Sequence, residues 1–291
     1  MALVINTNTA SITAQRHLTS SRAEMEQAME RLSSGKRINS AMDDAAGLTI
    51  AHSLDSRVTS LNMAARNAND GISLINLAEG ALEEVTAMII RMRELTVESL
   101  NGTYSWNDRA NLQLEMDALA DEITRISDNT FFNGLSPIGA SGTEYTFQVG
   151  FASSDTITVT GLDMAAEALG SGSTHATSIA ALDISGTTSG SITYASAATE
   201  MGIALLSLDD ALNEVDNYRA QLGATANRLE FSANNLYSRV EAQSAARSRI
   251  EDADYAVESA NLARAQVLQQ AGTAMLSQAN ATTQNVLSLL K

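Results

Sequence analysis

Three histidines and a few carboxylate pairs are the residues of this sequence whose types could support metal binding or acid–base catalysis. His17, His52 and His175 are isolated, and none has a second histidine or acidic residue at a spacing that metal sites use. Each is therefore interpreted as a core or surface histidine. Adjacent carboxylates occur at Asp43–Asp44, Glu83–Glu84 and Asp209–Asp210. Neighbours on a helix point in different directions, so these pairs indicate solvated faces rather than catalytic dyads.

Other motifs for catalysis are missing from the sequence. It has no glycine-rich phosphate loop followed by lysine and a hydroxyl residue, no G-x-S-x-G nucleophile elbow and no cysteine. Arg91, Arg93 and Glu94 form either a functional cluster or the charged flank of a helix, and the second explanation is the commoner. We therefore predict that the protein is not an enzyme and has no catalytic, cofactor-binding or metal-binding residues.

The net charge of −16 at pH 7 argues against nucleic acid as a partner. Most of this charge lies in the middle of the chain, because Ala2–Gln15 and Ala265–Leu290 carry no charged side chain. Such ends suit burial against other helices, although solvated polar tails are the commoner state of termini. We also find no secretory signal peptide and no apolar run of the ~18 residues that cross a membrane. The sequence predicts no membrane insertion.

Two long heptad patterns define the elements that carry these residues. Apolar residues recur every seven positions at Leu61, Ala68, Ile75, Leu82 and Ile89, and again at Leu208, Val215, Leu222, Leu229 and Leu236. A helical seam of this length needs a cover, because most helix stability comes from packing. Each pattern is the natural cover of the other. With one proline and 4% aromatic residues, the chain is predicted to be mainly α, an elongated antiparallel helical bundle or coiled coil.

The two ends carry weaker apolar patterns at helical spacing. Near the amino end, Leu18 and Met25 belong to a seam that stops at Gly35. The last helix is predicted to run to Leu290. Its apolar positions include Leu268, Met275, Leu276, Val286 and Leu290. Because no complementary seam remains for them inside the chain, we assign these end residues to contacts between subunits.

Serine followed three residues later by an acid is the sequence signature of a helix cap. The signature occurs at Ser40/Asp43, Ser105/Asp108 and Ser248/Glu251. The three pairs predict, respectively, the start of a short helix through Leu54, the start of a third long helix and the start of the last helix.

The middle of the chain has a different composition. Tyr145–Val149 and Thr156–Thr160 alternate apolar and polar residues around a glycine-containing loop, which predicts a small β-hairpin insertion. Ser171–Glu200 is rich in serine and threonine, and is either loop or short strands with Ile184, Ile192 and Tyr194 facing inward. Its hydroxyls could carry O-linked glycans, but a solvated loop is the simpler interpretation.

Several separate segments at both ends resemble one protein family. In the first half they read MALVINTNT (1–9), ERLSSGKRINSAMDDAAGL (30–48), RNANDGIS (66–73), RMREL (91–95) and TFFNG (130–134). In the second half they read RAQLG (219–223), ARSRIEDADYA (246–256), QQAGTAMLSQAN (269–280) and VLSLL (286–290). In this order they closely resemble bacterial flagellins over roughly residues 1–137 and 200–291.

The resemblance implies an architecture and a function. It implies an inner terminal coiled-coil domain (1–45 with 250–291), a helical bundle domain (46–137 with 200–249) and a short variable insertion (138–199). Such a chain is a structural subunit that polymerises into the extracellular filament of the flagellum for swimming motility. Its implied partners are further copies of itself, an export chaperone, the filament cap and the hook–filament junction proteins, and its implied route is type III export. We expect added salt to favour polymerisation by screening the negative charge.

The resemblance also implies a surface for innate immune recognition. In flagellins recognised by the flagellin-sensing Toll-like receptor, the matching residues are Arg91, Leu95 and Glu115. Nearby, Ile90, Thr96 and Glu98 stand where the family pattern has Gln, Ala and Gln, which leaves the strength of binding open. Packing between subunits is the alternative role of these residues.

Three other functions are weighed against a filament subunit. A hook–filament junction protein is similar at both ends, but the RLSSGKRINSAMDDAAGL block and the VLSLL ending favour flagellin. An enzyme displayed on such a scaffold would need a metal or nucleophile motif in Gly139–Thr199, where none occurs. A soluble coiled-coil partner of no secretion system is disfavoured by the uncharged ends.

Overall fold

A computed structural model describes residues 7–139, 142–170, 177–185 and 194–289. In these ranges the elements are α1 (Thr9–Ser34), α2 (Ala45–Ser99), α3 (Trp106–Asn129), β1 (Glu144–Gln148), β2 (Thr156–Thr160), α4 (Tyr194–Glu251) and α5 (Tyr255–Leu289). Ile179–Ala181 adds one 3-10 turn. The predicted mainly α fold with a small β-hairpin is confirmed.

The chain divides into two compact units. Unit 1 joins the first part of the chain, up to Thr59, with the residues from Val240 onward, and unit 2 is Ser60–Arg239. Helices α2 and α4 contribute residues to both units. The three-part division made from the sequence stays a prediction.

Two helix boundaries agree with the sequence. Gly35 ends α1 in the left-handed conformation (φ 72°), and its N–H donates to the carbonyl of Arg31. Ser105 and Asp108 form a reciprocal capping box at the start of α3, where the serine hydroxyl accepts from the Asp108 N–H and the carboxylate accepts from the Ser105 N–H. Glycine tolerates the left-handed region without a side-chain clash, which makes it a reliable helix end.

The other two predicted caps are wrong. Ser40 and Asp43 form a turn, and α2 begins after Asp44, whose carboxylate accepts from the Gly47 N–H at 2.8 Å. α2 is also one continuous helix of 55 residues, with no separate short helix at its start. Ser248 lies inside α4, and the Asp254 carboxylate caps α5 by accepting from the Ala256 N–H. The same serine–acid spacing satisfies a turn as well as a helix, because both need an acceptor for free N–H groups.

The core of unit 2 is formed where α2, α3 and α4 bring their apolar faces together. The buried cluster includes Leu82, Ile89, Met116, Ile123 and Leu208. The hairpin β1–β2 is antiparallel, pairs Tyr145 with Val159, and contributes its inward residues to this cluster. The Tyr145 hydroxyl donates to the carbonyl of Ser136 at 2.6 Å.

The described part of the serine- and threonine-rich stretch, residues 177–185, is an irregular segment that packs on α3. Gln113 on α3 holds it by donating to the Leu182 carbonyl and accepting from the Ile184 N–H. Ile184 is buried, as expected for an inward residue, but residues 177–185 contain no strand. Ile192 lies outside the described residues, as does the side chain of Tyr194.

Candidate assembly and recognition surfaces

The first and last helices form an antiparallel pair in unit 1. Next to the first residue of α1, the Asn8 side-chain amide donates to the Ala279 carbonyl of α5 at 3.0 Å. At the other end, the Arg31 guanidinium lies 3.0 Å from the Glu258 carboxylate. Asn8 also caps α1 by accepting from the Ser11 N–H. Each helix therefore lies against the other for most of the length of α1.

Small and polar side chains dominate the interface of this pair. Its most buried members are Ser11, Ser21, Ala28, Glu258 and Ala265. Gly272 follows Ala265 at a seven-residue spacing, and a Cβ added there would lie 3.1 Å from Leu18 Cδ1. The Leu18 side chain therefore packs directly against the α5 backbone at Gly272, and the pair buries less apolar surface than a leucine seam would.

The structure separates the predicted inter-subunit residues into two groups. Leu18, Met25 and Leu276 are half-buried. Leu268 and Met275 are 48% and 63% exposed. The side chains of Val286 and Leu290 lie outside the described residues. Val267, which shares the exposed side of α5, is 63% exposed, so this helix presents a row of large apolar side chains to its surroundings.

The Arg31–Glu258 pair was not found by sequence reasoning. Glu258 is buried, and its second oxygen accepts from the Asn261 amide at 3.3 Å. Asp43 approaches the same guanidinium at 3.9 Å. The signal that could have found this pair is the seven-residue spacing Glu258, Ala265, Gly272, which places a carboxylate on the inward face of α5.

The predicted intra-subunit seam lies entirely inside unit 2. Ile75, Leu82, Ile89, Leu208, Val215, Leu222 and Leu229 belong to one buried cluster, and Leu61 and Leu236 are buried as well. Ion pairs tie α2 to α4 along the edges of this seam. Arg219 contacts Glu79 at 2.6 Å and Arg93 contacts Asp209 at 2.8 Å. Hydrogen bonding to Glu79 raises the pKa of Arg219.

A buried tyrosine hydroxyl joins α4 to the segment that follows α3. Tyr218 on α4 is buried and donates to the carbonyl of Pro137 at 2.9 Å. Burial raises the pKa of Tyr218 to about 12, because the charged phenolate would lose its hydration. The hydroxyl therefore remains a donor at any physiological pH.

The structure brings together two of the three residues predicted for immune recognition. The guanidinium of Arg91 on α2 contacts the Glu115 carboxylate on α3 at 2.9 Å and Glu94 at 3.0 Å, and all three side chains are about half exposed. Hydrogen bonds to Glu115 and Glu94 raise the pKa of Arg91. Leu95 is 0% exposed and packs in the core below them. A partner at this surface meets the charged pair and not Leu95.

The candidate metal and acid–base residues do not converge. Within the described ranges no three His, Cys, Asp or Glu side chains are close enough to hold a metal ion. His17 and His52 are exposed, and His175 lies outside the described residues. The expectation of a solvated face is wrong for Asp43 and Asp44, which accept backbone N–H groups at the α1–α2 turn. Among the described helices, none has both the length and the hydropathy needed to span a membrane.

Comparison with known proteins gives consistent matches at both ends. Residues 5–137 match the family model of the bacterial flagellin N-terminal helical region, and residues 205–290 match that of the C-terminal helical region. A flagellin of Xenorhabdus nematophila is 44% identical and covers 100% of both chains. The flagellar filament 33 kDa core protein of Treponema phagedenis is 38% identical and covers 99% of this chain and 100% of its own. The crystal structure of Bacillus cereus flagellin is 30% identical, covers 59% of this chain and 88% of its own, and has a TM-score of 0.46.

Proposed function

The chain belongs to the bacterial flagellin family, and from this premise we propose which part of it forms the stable subunit and which part joins subunits into a filament. Its function is to polymerise into the flagellar filament that drives swimming motility. The N-terminal and C-terminal family regions together account for most of the chain, and its relatives match from end to end. No observation favours the alternative of a hook–filament junction protein.

We assign polymerisation to the terminal pair α1–α5. The observation that carries this assignment is the exposed row Val267, Leu268 and Met275 on a helix without charge from Ala265 onward. Fully burying one such side chain contributes roughly 1.5–3 kcal/mol. Contacts that repeat head to tail without closing build a helical filament, so a modest gain per copy is multiplied along the polymer.

Unit 2 has the complementary role of making the subunit itself. The large apolar residues of its core, such as Leu82, Ile89 and Leu222, are already buried against one another within the chain, so this core gains nothing from a second copy. The exposed acidic surface of this unit opposes close approach of copies, which makes assembly sensitive to screening by salt.

Polymerisation of the purified chain across a salt series tests this assignment. Monomer is mixed with increasing salt, followed by sedimentation and inspected by electron microscopy. We expect long uniform filaments whose yield rises with salt. The double variant Leu268→Gln/Met275→Gln is expected to stay monomeric with unchanged helix content, whereas the control Glu83→Gln, at an exposed position of unit 2, polymerises. Stable wild-type monomers at all salt concentrations would contradict the function.

Export and capping partners follow from the same family membership. We propose that the chain leaves the cell through the flagellar type III apparatus, bound beforehand by an export chaperone, and adds beneath a filament cap at the distal end. The hook–filament junction proteins would provide the first surface on which it adds. Deleting the export apparatus of the source cell should leave this chain inside the cell, and secretion without that apparatus would contradict the route.

A second proposed function concerns host recognition. The exposed Arg91–Glu115 pair offers a cation and an anion to a flagellin-sensing Toll-like receptor, and Leu95 supports them from below. Receptor signalling by the Arg91→Ala monomer measures this role. Loss of signalling with filament formation retained supports it, whereas loss of filaments with signalling retained supports packing between subunits.

A further inference from the structure

The acceptor motif for N-linked glycosylation is asparagine, any residue except proline, then serine or threonine, and the chain contains it twice. One copy is residues 101–103 (NGT), in the connection between α2 and α3, and the other is residues 280–282 (NAT), inside α5. Both lie outside the serine- and threonine-rich stretch. A three-residue motif also arises by chance, so its conformation decides which copy can react.

The first copy is exposed and forms a turn that leaves its reactive groups free. All of residues 101–103 are exposed. The side-chain oxygen Oδ1 of Asn101 accepts from the Thr103 N–H at 3.3 Å, and the Asn101 backbone carbonyl accepts from the Tyr104 N–H at 3.2 Å. Among the described residues, neither the Asn101 amide nitrogen Nδ2 nor the Thr103 hydroxyl has a hydrogen-bond partner. Both groups are therefore available to an enzyme that approaches from solvent.

Neighbouring contacts fix both ends of this turn. The Asn101 N–H donates to the Glu98 carbonyl at 3.0 Å, and the Tyr104 hydroxyl donates to the Glu98 carboxylate at 2.5 Å. Ser105 then caps α3. None of these contacts uses the Asn101 amide nitrogen, so a sugar on that atom leaves the ends of both helices intact. A side chain that is already ordered also loses little freedom when an enzyme binds it.

The second copy has the same residue types in a different setting. Asn280 lies in α5, and its Oδ1 accepts from the Ser11 hydroxyl of α1 at 3.1 Å. The Thr282 hydroxyl donates to the Gln278 carbonyl one helical turn earlier, at 2.8 Å. Since its amide joins two helices and its hydroxyl is bonded to its own helix, this copy is not ready to react. The chain thus contains its own negative control.

We propose that Asn101 is an acceptor site for N-linked glycosylation and that its donor is a nucleoside diphosphate sugar of the cytoplasm. The choice of donor rests on the proposed function, because a chain exported by the type III apparatus must be modified before it leaves the cell. The Thr103 hydroxyl is the second group that the modifying enzyme recognises, since the motif requires it.

The reaction exchanges one bond of the sugar for another. The lone pair of Asn101 Nδ2 attacks the anomeric carbon, which the donor holds through a phosphate oxygen. The nitrogen–carbon bond forms, the carbon–oxygen bond breaks, the nucleoside diphosphate leaves with that electron pair, and one amide proton passes to a base of the enzyme. An amide lone pair is delocalised into its carbonyl and is a weak nucleophile, so the orientation of the side chain matters. The bond from the Thr103 N–H to Oδ1 supplies part of that orientation.

Mass spectrometry of the chain isolated from its source cells tests the site. Trypsin cuts after arginine and lysine, so Asn101 falls in the peptide of residues 94–109 and Asn280 in that of residues 265–291. Chain from filaments is compared with chain retained in cells that lack the flagellar export apparatus. Fragmentation that preserves the sugar locates it on one residue. We expect a sugar on Asn101 in both samples and none on Asn280 in either.

Variants separate this site from a sugar attached to a hydroxyl. Asn101→Gln and Thr103→Ala should both lose the sugar completely, whereas Thr103→Ser keeps the hydroxyl and should retain it. Asn101→Gln leaves the hydroxyls of Thr103 and Ser105 in place, so a sugar that persists in this variant would be O-linked and would overturn the proposal. The control Asn280→Gln should keep the sugar on Asn101. Circular dichroism of each purified variant checks that its helix content is unchanged.

The outcomes distinguish this site from the proposed function. Filaments whose Asn101 carries no sugar would overturn the site and leave the filament function standing. Equal modification of Asn280 would contradict the selection of Asn101 by its conformation, and a sugar on exported chain alone would contradict the cytoplasmic donor. A sugar on Asn101 in cells that assemble no filament from this chain would support the site and contradict the filament function.

Discussion

The seam of unit 2 and the terminal pair of unit 1 are both antiparallel helix pairings, yet they bury different residues. The first encloses large aliphatic side chains such as Leu82 and Leu222, whereas the second encloses Ser21, Ala28 and Gly272 and leaves Met275 outside. A pairing that buries its large residues within the chain makes a stable subunit. A pairing that keeps them outside leaves apolar surface uncovered, which is the surface proposed above for contacts with neighbouring copies.

Truncating one large side chain in each region should give the largest difference in stability between the two pairings. Leu82→Ala should lower the free energy of unfolding by about 2–5 kcal/mol, because it leaves a cavity in a close-packed core. Met275→Ala should change it by less than about 0.5 kcal/mol, because the side chain is exposed in the monomer. Urea unfolding of the two monomers, followed by circular dichroism, measures both values. Equal losses would mean that the regions do not differ in this way.

The ion pair between Arg31 and Glu258 tests whether a specific polar contact stabilises the packing of α1 on α5. Glu258→Ala leaves the Arg31 guanidinium half-buried without its main partner and should destabilise the pair by roughly 1–3 kcal/mol. A double-mutant cycle with Arg31→Ala should give a coupling above about 0.5 kcal/mol, since the two groups are in contact. Hydrogen exchange of α1 amides is the measurement. Additive effects would show that the pair contributes no specific energy.

The capping box of α3 gives a smaller effect with a defined pH dependence. Ser105→Ala should cost about 1 kcal/mol at neutral pH. The hydrogen bonds from Ser105 lower the pKa of Asp108 below its ordinary value of 3.8, so the part of the cap that depends on the carboxylate is fully present above that value. That part is lost as the pH falls through the lower pKa of the folded state, whereas the bond from the Asp108 N–H to the Ser105 hydroxyl remains. Urea unfolding at neutral and strongly acidic pH should therefore show the penalty shrinking in acid, and a penalty that grows in acid would contradict the assignment.

Arg91→Ala should have the smallest effect on stability, because its ion pairs are exposed and such pairs contribute little. The matched variant Leu95→Ala, one helical turn away and buried, should lose about 2–5 kcal/mol. Thermal unfolding compares the two, and receptor signalling is recorded in the same samples. A large loss of stability in Arg91→Ala would show that the surface pair supports unit 2 rather than standing free for a partner.

The seams were predictable because a heptad repeat states directly which residues share one face of a helix. Leu82, Val215 and their register partners could be named from spacing alone, and so could the helix end at Gly35. Each of these features depends on local geometry that the residue types determine.

The outward and inward faces of α5 could not be separated in the same way. Leu268, Met275 and Leu276 are all apolar at helical spacing, and only the position of α1 shows that Leu276 is partly covered while the other two are exposed. Asp43 and Asp44 are adjacent in sequence, yet Asp43 accepts from the Ser40 N–H in the turn and only Asp44 accepts from the Gly47 N–H at the start of α2. Neither fact is encoded in a short motif, because each depends on contacts that form only when distant parts of the chain meet.

The pairing of the first helix with the last has a consequence for the timing of folding. Asn8 meets Ala279, and these two residues lie at opposite ends of the sequence. A contact of such long range must wait until both partners are available, and it forms more slowly than local structure. If the chain emerges amino end first, the helices of unit 2 can close before the last helix is available. The terminal pair is then the last part to form, and under the proposed assignment of polymerisation to this pair, its completion decides when a subunit can receive the next one.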